Sequence, residues 1–242
     1  MVPDCYSMTE EEIIKRAADV FSKIEASLER SGRSADAVKL VAVSKRQPPW
    51  KMKAYQKFCG DKQAIFGENY VQEFQQKKPE LEGGFRVHLI GVLQSNKAPA
   101  AVKLFDVIES IHSLKTAQAV NTAAQKINKR QEVLLQVNIS GDRAKSGFKP
   151  EELKCFLSEE ACRLDNLSYC GLMTITRYYD TPEDVRPDFI RMRELAFELF
   201  DSFKELFKGR EISMGMSRDY QIAIEEGATL VRVGSAIFGE RK

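Results

Sequence analysis

Hydrophobic and polar positions along this chain follow two alternating periods. Residues 9–31 repeat apolar side chains at helical spacing, and Thr9 with Glu12 has the spacing of a capping box, so a first helix is predicted there. Short apolar runs then alternate with longer stretches of helical periodicity. The short runs predict strands at 38–44, 63–66, 86–90, 106–110, 132–137, 168–172, 211–213 and 229–233. The longer stretches predict helices at 49–58, 69–78, 96–103, 113–130, 150–162, 187–208 and 218–226.

This order of elements predicts an α/β protein with a parallel sheet, because a helical crossover returns the chain to the same end of the sheet. Eight parallel strands are the number that closes a (β/α)8 barrel. An open doubly wound sheet is the competing architecture, but no G-x-G-x-x-G segment follows any strand to support it. Since no linker or change of composition divides the chain, we predict one domain over residues 1–242: a single (β/α)8 TIM-type barrel with an extra N-terminal helix.

Composition narrows the class of function. The net charge is +2, which is too balanced to favour binding to nucleic acid or to a membrane surface. No apolar run approaches the ~20 residues of a membrane span, and the N-terminus lacks the apolar segment of a signal peptide. The five cysteines form no CxxC pair and only two histidines are present. We therefore expect free thiols, no metal site and a cytoplasmic location.

Two further segments bear on macromolecular partners. Residues 126–131 (KINKRQ) are the most basic patch, but they end a predicted helix, where Lys and Arg favour the helix dipole. The apolar positions of the helix at 187–208 are typical of packing against a barrel. We therefore expect no nucleic-acid partner and a monomer.

Small and polar residues follow every predicted strand. They are Lys45 after the first strand, then residues 67–73, 91–97, 111–113, 138–148, 173–175, 214–219 and 234–239. Ligands of parallel α/β proteins bind at the carboxyl ends of the strands, which all meet at one rim. The sequence therefore predicts a binding site at that rim.

Two of these segments suggest a phosphate-binding site. Gly215 and Ser217 follow the seventh strand, and Gly234 and Ser235 follow the eighth. Barrels often bind phosphate with these two loops, where glycines let backbone N–H groups approach an anion. The alternative is that both serines are ordinary helix N-caps.

Arg232 and Lys45 are the unusual charged residues of the predicted strands. Arg232 shares a face with Leu230 and needs an acceptor, either a carboxylate on a neighbouring strand or a ligand atom. Lys45 is either a surface lysine that ends a strand or a poorly solvated amine that attacks an aldehyde. A phosphorylated aldehyde such as pyridoxal 5′-phosphate (PLP) would connect Lys45 with the phosphate loops, and Arg232 would then face its pyridine nitrogen.

Seven segments together resemble the PLP homeostasis protein family, also called YggS or PROSC. In chain order they are VAVSK, FGENYVQE, HLIGVLQSNK, IHSL, LLQVNISGDRAKSGF, GLMTI and SMGMSRDYQIAIEEGATLVRVGSAIFGER. The resemblance extends over nearly the whole chain. The family is similar in fold to the N-terminal barrel of alanine racemase.

The resemblance implies that PLP is the cofactor and that Lys45 holds it as an internal aldimine. It implies that Arg232 faces the pyridine nitrogen and that Asn69 lies at the cofactor-side rim. It implies a phosphate cradle made by Ser217 with the backbone of Met216, Gly234 and Ser235. His88, Asn96 and Met173 lie in family motifs near the cofactor, and the resemblance assigns them no role.

The resemblance also implies a role in vitamin B6 and amino-acid homeostasis without catalysis, with PLP-dependent apoenzymes as recipients. An arginine opposite the pyridine nitrogen makes the ring a poor electron sink, and racemisation also needs acid–base groups on both faces of the substrate carbon. In alanine racemase the second face is served by a partner subunit through a second domain, which we do not expect here. Tyr70, Tyr169, Tyr178 and Tyr179 are the local tyrosines, and none has a reason in the sequence to be the second base. The alternative is an amino-acid racemase or related PLP-dependent enzyme.

Overall fold

A computed structural model describes residues 8–240, and in it eight parallel strands close into a barrel in sequential order. The strands are β1 (Lys39–Val43), β2 (Ala64–Glu68), β3 (Phe85–Leu89), β4 (Val107–Ile111), β5 (Gln131–Val137), β6 (Leu167–Thr174), β7 (Phe207–Ser213) and β8 (Leu230–Val233). The barrel closes where β8 pairs with β1 in parallel. The predicted (β/α)8 barrel is confirmed.

Helices alternate with the strands and cover the outside of the barrel. They are α1 (Glu10–Arg30), α2 (Pro49–Cys59), α3 (Val71–Lys77), α4 (Ala98–Leu104), α5 (Leu114–Gln125), α6 (Pro150–Glu159), α7 (Arg186–Ser202), α8 (Tyr220–Glu225) and α9 (Ser235–Phe238). Proline stands in the first turn of α2 and of α6, where its missing N–H costs nothing. Within residues 8–240 no helix is long and apolar enough to span a bilayer.

The N-terminal helix α1 belongs to this outer layer. The predicted capping box is present, because Thr9 and Glu12 exchange side-chain and backbone hydrogen bonds. One face of α1 is buried, with Ile13 and Ala17 fully inaccessible to solvent, and it packs against α2, α8 and α9. The last helix, α9, is only one turn long, and α1 packs beside it in the outer layer.

The strands are buried on both faces, which explains their nearly continuous apolar sequences. Their outer faces pack against the helices in the main core. Inside the barrel, a separate apolar layer is formed by Val41, Val107, Leu134, Met173 and Leu230. Arg232 lies on the same inward face of β8 as Leu230, two residues closer to the carboxyl end, as the alternation predicted.

Two predicted boundaries are wrong around β7. The strand begins at Phe207 rather than at residue 211, and α7 ends at Ser202 rather than at residue 208. Phe207 pairs with Tyr169 of β6, and the register then shifts before Gly171 pairs with Glu211. Because the residues within this irregularity are polar and partly exposed, the first half of the strand lacks the apolar pattern of the other strands.

Candidate functional site

A cleft of about 360 Å³ opens at the carboxyl ends of the strands, and we call it the upper cleft. Segments that end or follow β1, β2, β3, β5, β6, β7 and β8 line it. Six of the seven predicted site residues are among its lining residues: Lys45, Asn69, Met216, Ser217, Arg232 and Gly234. The seventh, Ser235, is exposed at the first position of α9 and does not line the cleft. The structure thus brings together predicted residues that are up to 189 positions apart in the sequence (45 to 234).

The lining of the upper cleft is strongly cationic. Its charged side chains are Lys45, Lys145, Arg177, Arg218 and Arg232 against one acid, Asp219. Five cationic side chains against one acid give the lining an excess of four positive charges, whereas the chain as a whole has a net charge of only +2. Cationic clefts with low-dielectric walls attract anions, and this cleft is therefore suited to an anionic ligand.

Lys45 follows β1 at the mouth of the cleft, where it is half-buried. The preceding residue, Ser44, remains tied to the sheet through its N–H, which donates to the Gly67 carbonyl at 2.9 Å. The next residue, Arg46, has a φ of 56°, so the chain turns sharply immediately after the lysine. This turn leaves the Lys45 side chain along the cleft wall instead of continuing the strand.

Arg232 is almost fully buried, with 3% of its surface exposed, yet it lines the cleft floor. Its Nη1 donates to Ser213 Oγ at 2.6 Å and its Nη2 to the Thr174 carbonyl at 2.7 Å. Burial lowers the pKa of Arg232, while the carboxylates of Glu109 and Asp219 act in the opposite direction. The arginine is thus held in a fixed orientation by the ends of β6 and β7.

A buried hydrogen-bond chain continues from Arg232 across the barrel. Ser213 Oγ donates to Glu109 Oε2 at 2.6 Å, and Glu109 Oε1 is 2.6 Å from His88 Nδ1. Complete burial opposes ionisation of Glu109, but the hydrogen bond and charge of His88, together with Arg232 and Ser213, hold the pKa of Glu109 below its usual range. Glu109 therefore supplies the anion that Arg232 needs inside the barrel.

The sequence reasoning missed Glu109 and Ser213. The predicted acceptor for Arg232 was a carboxylate on a neighbouring strand or a ligand atom. The neighbouring strand β7 supplies the Ser213 hydroxyl instead, and the carboxylate lies farther away on β4. The sequence did contain a signal for Glu109, which is an acid within an otherwise apolar strand. Since such a strand is buried on both faces, its carboxylate needs a polar partner inside the barrel. Both residues are completely buried.

The two loops predicted to bind phosphate face each other. The Gly234 N–H donates to Ser217 Oγ at 3.3 Å, so the hydroxyl and this backbone donor lie side by side at the cleft. The Met216 N–H donates instead to Asp219 Oδ1 at 2.6 Å, so that donor is occupied by a carboxylate in this structure. The roles of these residues as phosphate ligands stay a prediction.

The loop that follows β6 forms one wall of the cleft and was not predicted to do so. Arg177, Tyr178 and Tyr179 line it. The Arg177 guanidinium lies 4.8 Å from the centre of the Tyr179 ring, and the Arg218 guanidinium lies 4.7 Å from that of Tyr178. The sequence feature that could have indicated this wall is the Arg-Tyr-Tyr run directly after a predicted strand. The path of the loop itself depends on tertiary contacts.

His88, Asn96 and Met173 do not line the upper cleft. His88 lines a separate cavity of about 590 Å³ at the amino ends of the strands, and Asn96 lines a surface depression beside His112. Met173 packs in the apolar layer inside the barrel. The three side chains thus do not line the upper cleft, and the proximity of their motifs to a cofactor stays a prediction.

Gly91 allows the loop after β3 to approach Asn69. A Cβ at this position would lie 2.4 Å from the Asn69 carbonyl oxygen and 2.7 Å from its Cα. We expect Gly91→Ala to displace the Asn69 loop and to reduce the free energy of unfolding by about 1–3 kcal/mol, measured by urea denaturation. Gly83→Ala is the matched control, because a Cβ there meets no atom within 4 Å. Equal stability of the two variants would contradict this account of Gly91.

The fold and the cleft define a class of barrel protein, and comparison with known sequences identifies it. Residues 20–242 match the family described as "Alanine racemase, N-terminal domain". The chain is 41% identical to the pyridoxal phosphate homeostasis protein of Aquifex aeolicus over 94% of this chain and 98% of that protein. It is 37% identical to the Homo sapiens protein of the same name over 92% of this chain and 84% of that protein. The chain belongs to the pyridoxal phosphate homeostasis protein family.

Solved structures agree with this assignment. PipY of Synechococcus elongatus, solved without PLP, superposes with a TM-score of 0.83 at 34% identity, covering 94% of this chain and all of that one. The structure of PipY with PLP bound gives a TM-score of 0.81 at 33% identity. Alanine racemase of Clostridium difficile shares the fold alone, with a TM-score of 0.69 at 16% identity over 57% of that chain.

Proposed function

We propose that this protein binds PLP in the upper cleft and acts as a non-catalytic carrier in vitamin B6 and amino-acid homeostasis. The observation that carries the proposal is the convergence of Lys45, Ser217 and Arg232 on one cationic cleft. The family assignment and the PLP-bound structure of PipY support the same ligand.

The residues of the cleft fit the chemistry of PLP. When bound, PLP supplies an aldehyde carbon that accepts a neutral amine with loss of water, and Lys45 Nζ is the amine that we assign to it. We assign the Ser217 hydroxyl to the phosphate as a donor, with the Gly234 N–H beside it, which donates to Ser217 Oγ at 3.3 Å in this structure and would turn to the phosphate. Arg232 has five N–H donors, of which two are used by Ser213 and Thr174, so donors remain for the pyridine nitrogen. Asn69 borders the same cleft.

The tyrosines at the cleft favour a carrier over a racemase. Tyr179 donates its hydroxyl to Asp188 Oδ2 at 2.6 Å, and burial together with this carboxylate raises the pKa of Tyr179. A phenol in that state is a poor base near neutral pH. Tyr178 has 71% of its surface exposed, so solvent rather than the protein surrounds much of its ring. Neither tyrosine is positioned as the second base of a racemase.

A racemase is the second candidate function, because Tyr178 and Tyr179 both line the cleft. Incubation of the purified protein and PLP with a panel of L-amino acids, followed by chiral chromatography, separates the two functions. Conversion at ordinary enzyme rates, about 1–1000 per second, would favour the racemase. Conversion no faster than free PLP alone supports the carrier.

The cofactor proposal is tested by trapping. We expect the purified protein to develop a visible absorbance band with PLP, and borohydride to fix the cofactor to Lys45 in a peptide map. Lys145 lines the same cleft and is the internal control. A missing adduct, or an adduct mainly on Lys145, would contradict the proposal.

Finer statements about the carrier rest on the sequence and family. We propose a cytoplasmic monomer that delivers PLP to PLP-dependent apoenzymes and binds neither nucleic acid nor membranes. Light scattering measures the oligomeric state directly. Faster reactivation of an apoenzyme by the loaded protein than by the same concentration of free PLP would support delivery.

A further inference from the structure

A cluster of buried charges lies beneath the loop that carries Lys45. Glu68, the last residue of β2, is completely buried, and the Lys77 side chain at the end of α3 is 9% exposed. The Lys77 ammonium is 2.9 Å from Glu68 Oε1 and 2.5 Å from Glu73 Oε1. Buried charges of this kind are costly unless they are closely paired. The cluster is therefore a specific arrangement and not an incidental surface ion pair.

The cluster holds the backbone on both sides of Lys45. Before the lysine, the Ser44 carbonyl accepts from Lys77 Nζ at 2.8 Å, and the Ser44 hydroxyl donates to Glu68 Oε1 at 2.8 Å. After the lysine, the Arg46 N–H donates to the Glu73 carboxylate. Arg46 has a left-handed φ of 56°, a conformation that needs such support in a residue with a side chain.

A purely structural role would need fewer of these contacts. Joining α3 to the barrel requires only the apolar residues of that helix, such as Val71 and Phe74, which are buried. The polar groups of a surface loop are ordinarily satisfied by water. Here the contacts of Lys77 and Glu73 end on the two residues that flank the proposed nucleophile.

We propose that Lys77 and Glu73 are positioning residues, which fix the Lys45 amine where it reacts with the aldehyde of a phosphorylated ligand. The proposal rests on the proposed function of the cleft. The amine of Lys45 adds to the aldehyde carbon, a carbon–nitrogen double bond replaces the carbonyl, and one water leaves. The phosphate loops after β7 and β8 lie outside this cluster, so its loss weakens the covalent contact and leaves the phosphate contacts intact.

Two ligands separate these contacts experimentally. PLP uses both the aldehyde and the phosphate, whereas pyridoxine 5′-phosphate has the ring and phosphate but no aldehyde. We expect Lys77→Met to weaken PLP binding about tenfold or more, because small displacements of a reacting group are costly, and to change pyridoxine 5′-phosphate binding less than about threefold. Lys77→Arg keeps the charge and is expected to restore much of the PLP affinity. Lys78→Met removes an exposed lysine at the next position and is the matched control.

The outcomes distinguish this proposal from the proposed function. Equal weakening of both ligands by Lys77→Met would show a general structural role and overturn the positioning role. If the wild-type protein binds neither ligand, the proposed function itself fails. Melting curves without ligand show whether Lys77→Met folds. If it does not, Glu73→Met replaces it, because that side chain is 21% exposed, methionine cannot accept the Arg46 N–H as a carboxylate does, and Lys77 keeps its contact with Glu68. Unchanged PLP affinity of a folded Glu73→Met variant would then overturn the proposal.

Discussion

Lys45→Ala is expected to abolish the visible absorbance of the PLP-loaded protein and to weaken PLP binding by about 100-fold or more. The variant keeps the Ser217 and Gly234 donors and the Arg232 guanidinium, but it lacks the Lys45 amine that we assign to the aldehyde. Any remaining affinity then reflects the phosphate and ring contacts alone. Absorbance spectra and equilibrium dialysis at constant salt measure the two effects.

Lys145→Ala is the control for the charge of the cleft. Lys145 lines the same cleft, so its removal lowers the positive potential without removing the proposed nucleophile. We expect the absorbance band to persist, with an affinity loss of about tenfold or less that shrinks as salt screens the remaining charges. A Lys45→Ala protein that still shows the band and a borohydride adduct would refute the assignment of Lys45.

The fold was predictable because its signal is local. Each strand is buried on both faces and each helix on one, so the hydrophobic pattern changes period wherever the element type changes. The pattern failed at residues 207–210, where an irregular pairing with β6 exposes polar residues within a strand. The extra N-terminal helix was predicted correctly, and α1 packs in the outer layer beside the short α9.

Residues of the candidate site could be predicted only where they directly follow the carboxyl ends of strands. Lys45, Ser217 and Gly234 come within a few residues of β1, β7 and β8, so the topology alone brings them to one rim. The cationic wall of Arg177 and Tyr179 depends on how a long loop packs against α7 and the loop after β7. Contacts of this kind connect residues without periodicity, and the sequence pattern does not specify them.

The hydrogen-bond chain inside the barrel connects three strands, β4, β7 and β8, with His88 of β3, and its energetic consequence is large. We expect Glu109→Gln to reduce the free energy of unfolding by about 3–5 kcal/mol at neutral pH, because it removes the fully buried carboxylate that is linked to the Arg232 charge through Ser213 and leaves only Asp219 to oppose that charge. Urea denaturation of the ligand-free protein measures the difference. Glu159→Gln, at an exposed position of α6, is the control and is expected to change stability by less than about 0.5 kcal/mol.

The contribution of Glu109 also has a predictable pH dependence. The folded protein holds the pKa of Glu109 below its ordinary value of 4.5, so the folded state binds this proton more weakly than the unfolded state does. The resulting stabilisation is fully present above pH 4.5 and is lost as the pH falls through the folded pKa. We therefore expect the stability difference between the wild type and Glu109→Gln to be constant from pH 6 to 8, because Glu109 stays ionised over that range. The difference is expected to decrease in acid. A difference that grows as the pH falls would show that Glu109 is protonated in the folded barrel, and Arg232 would then need another anion.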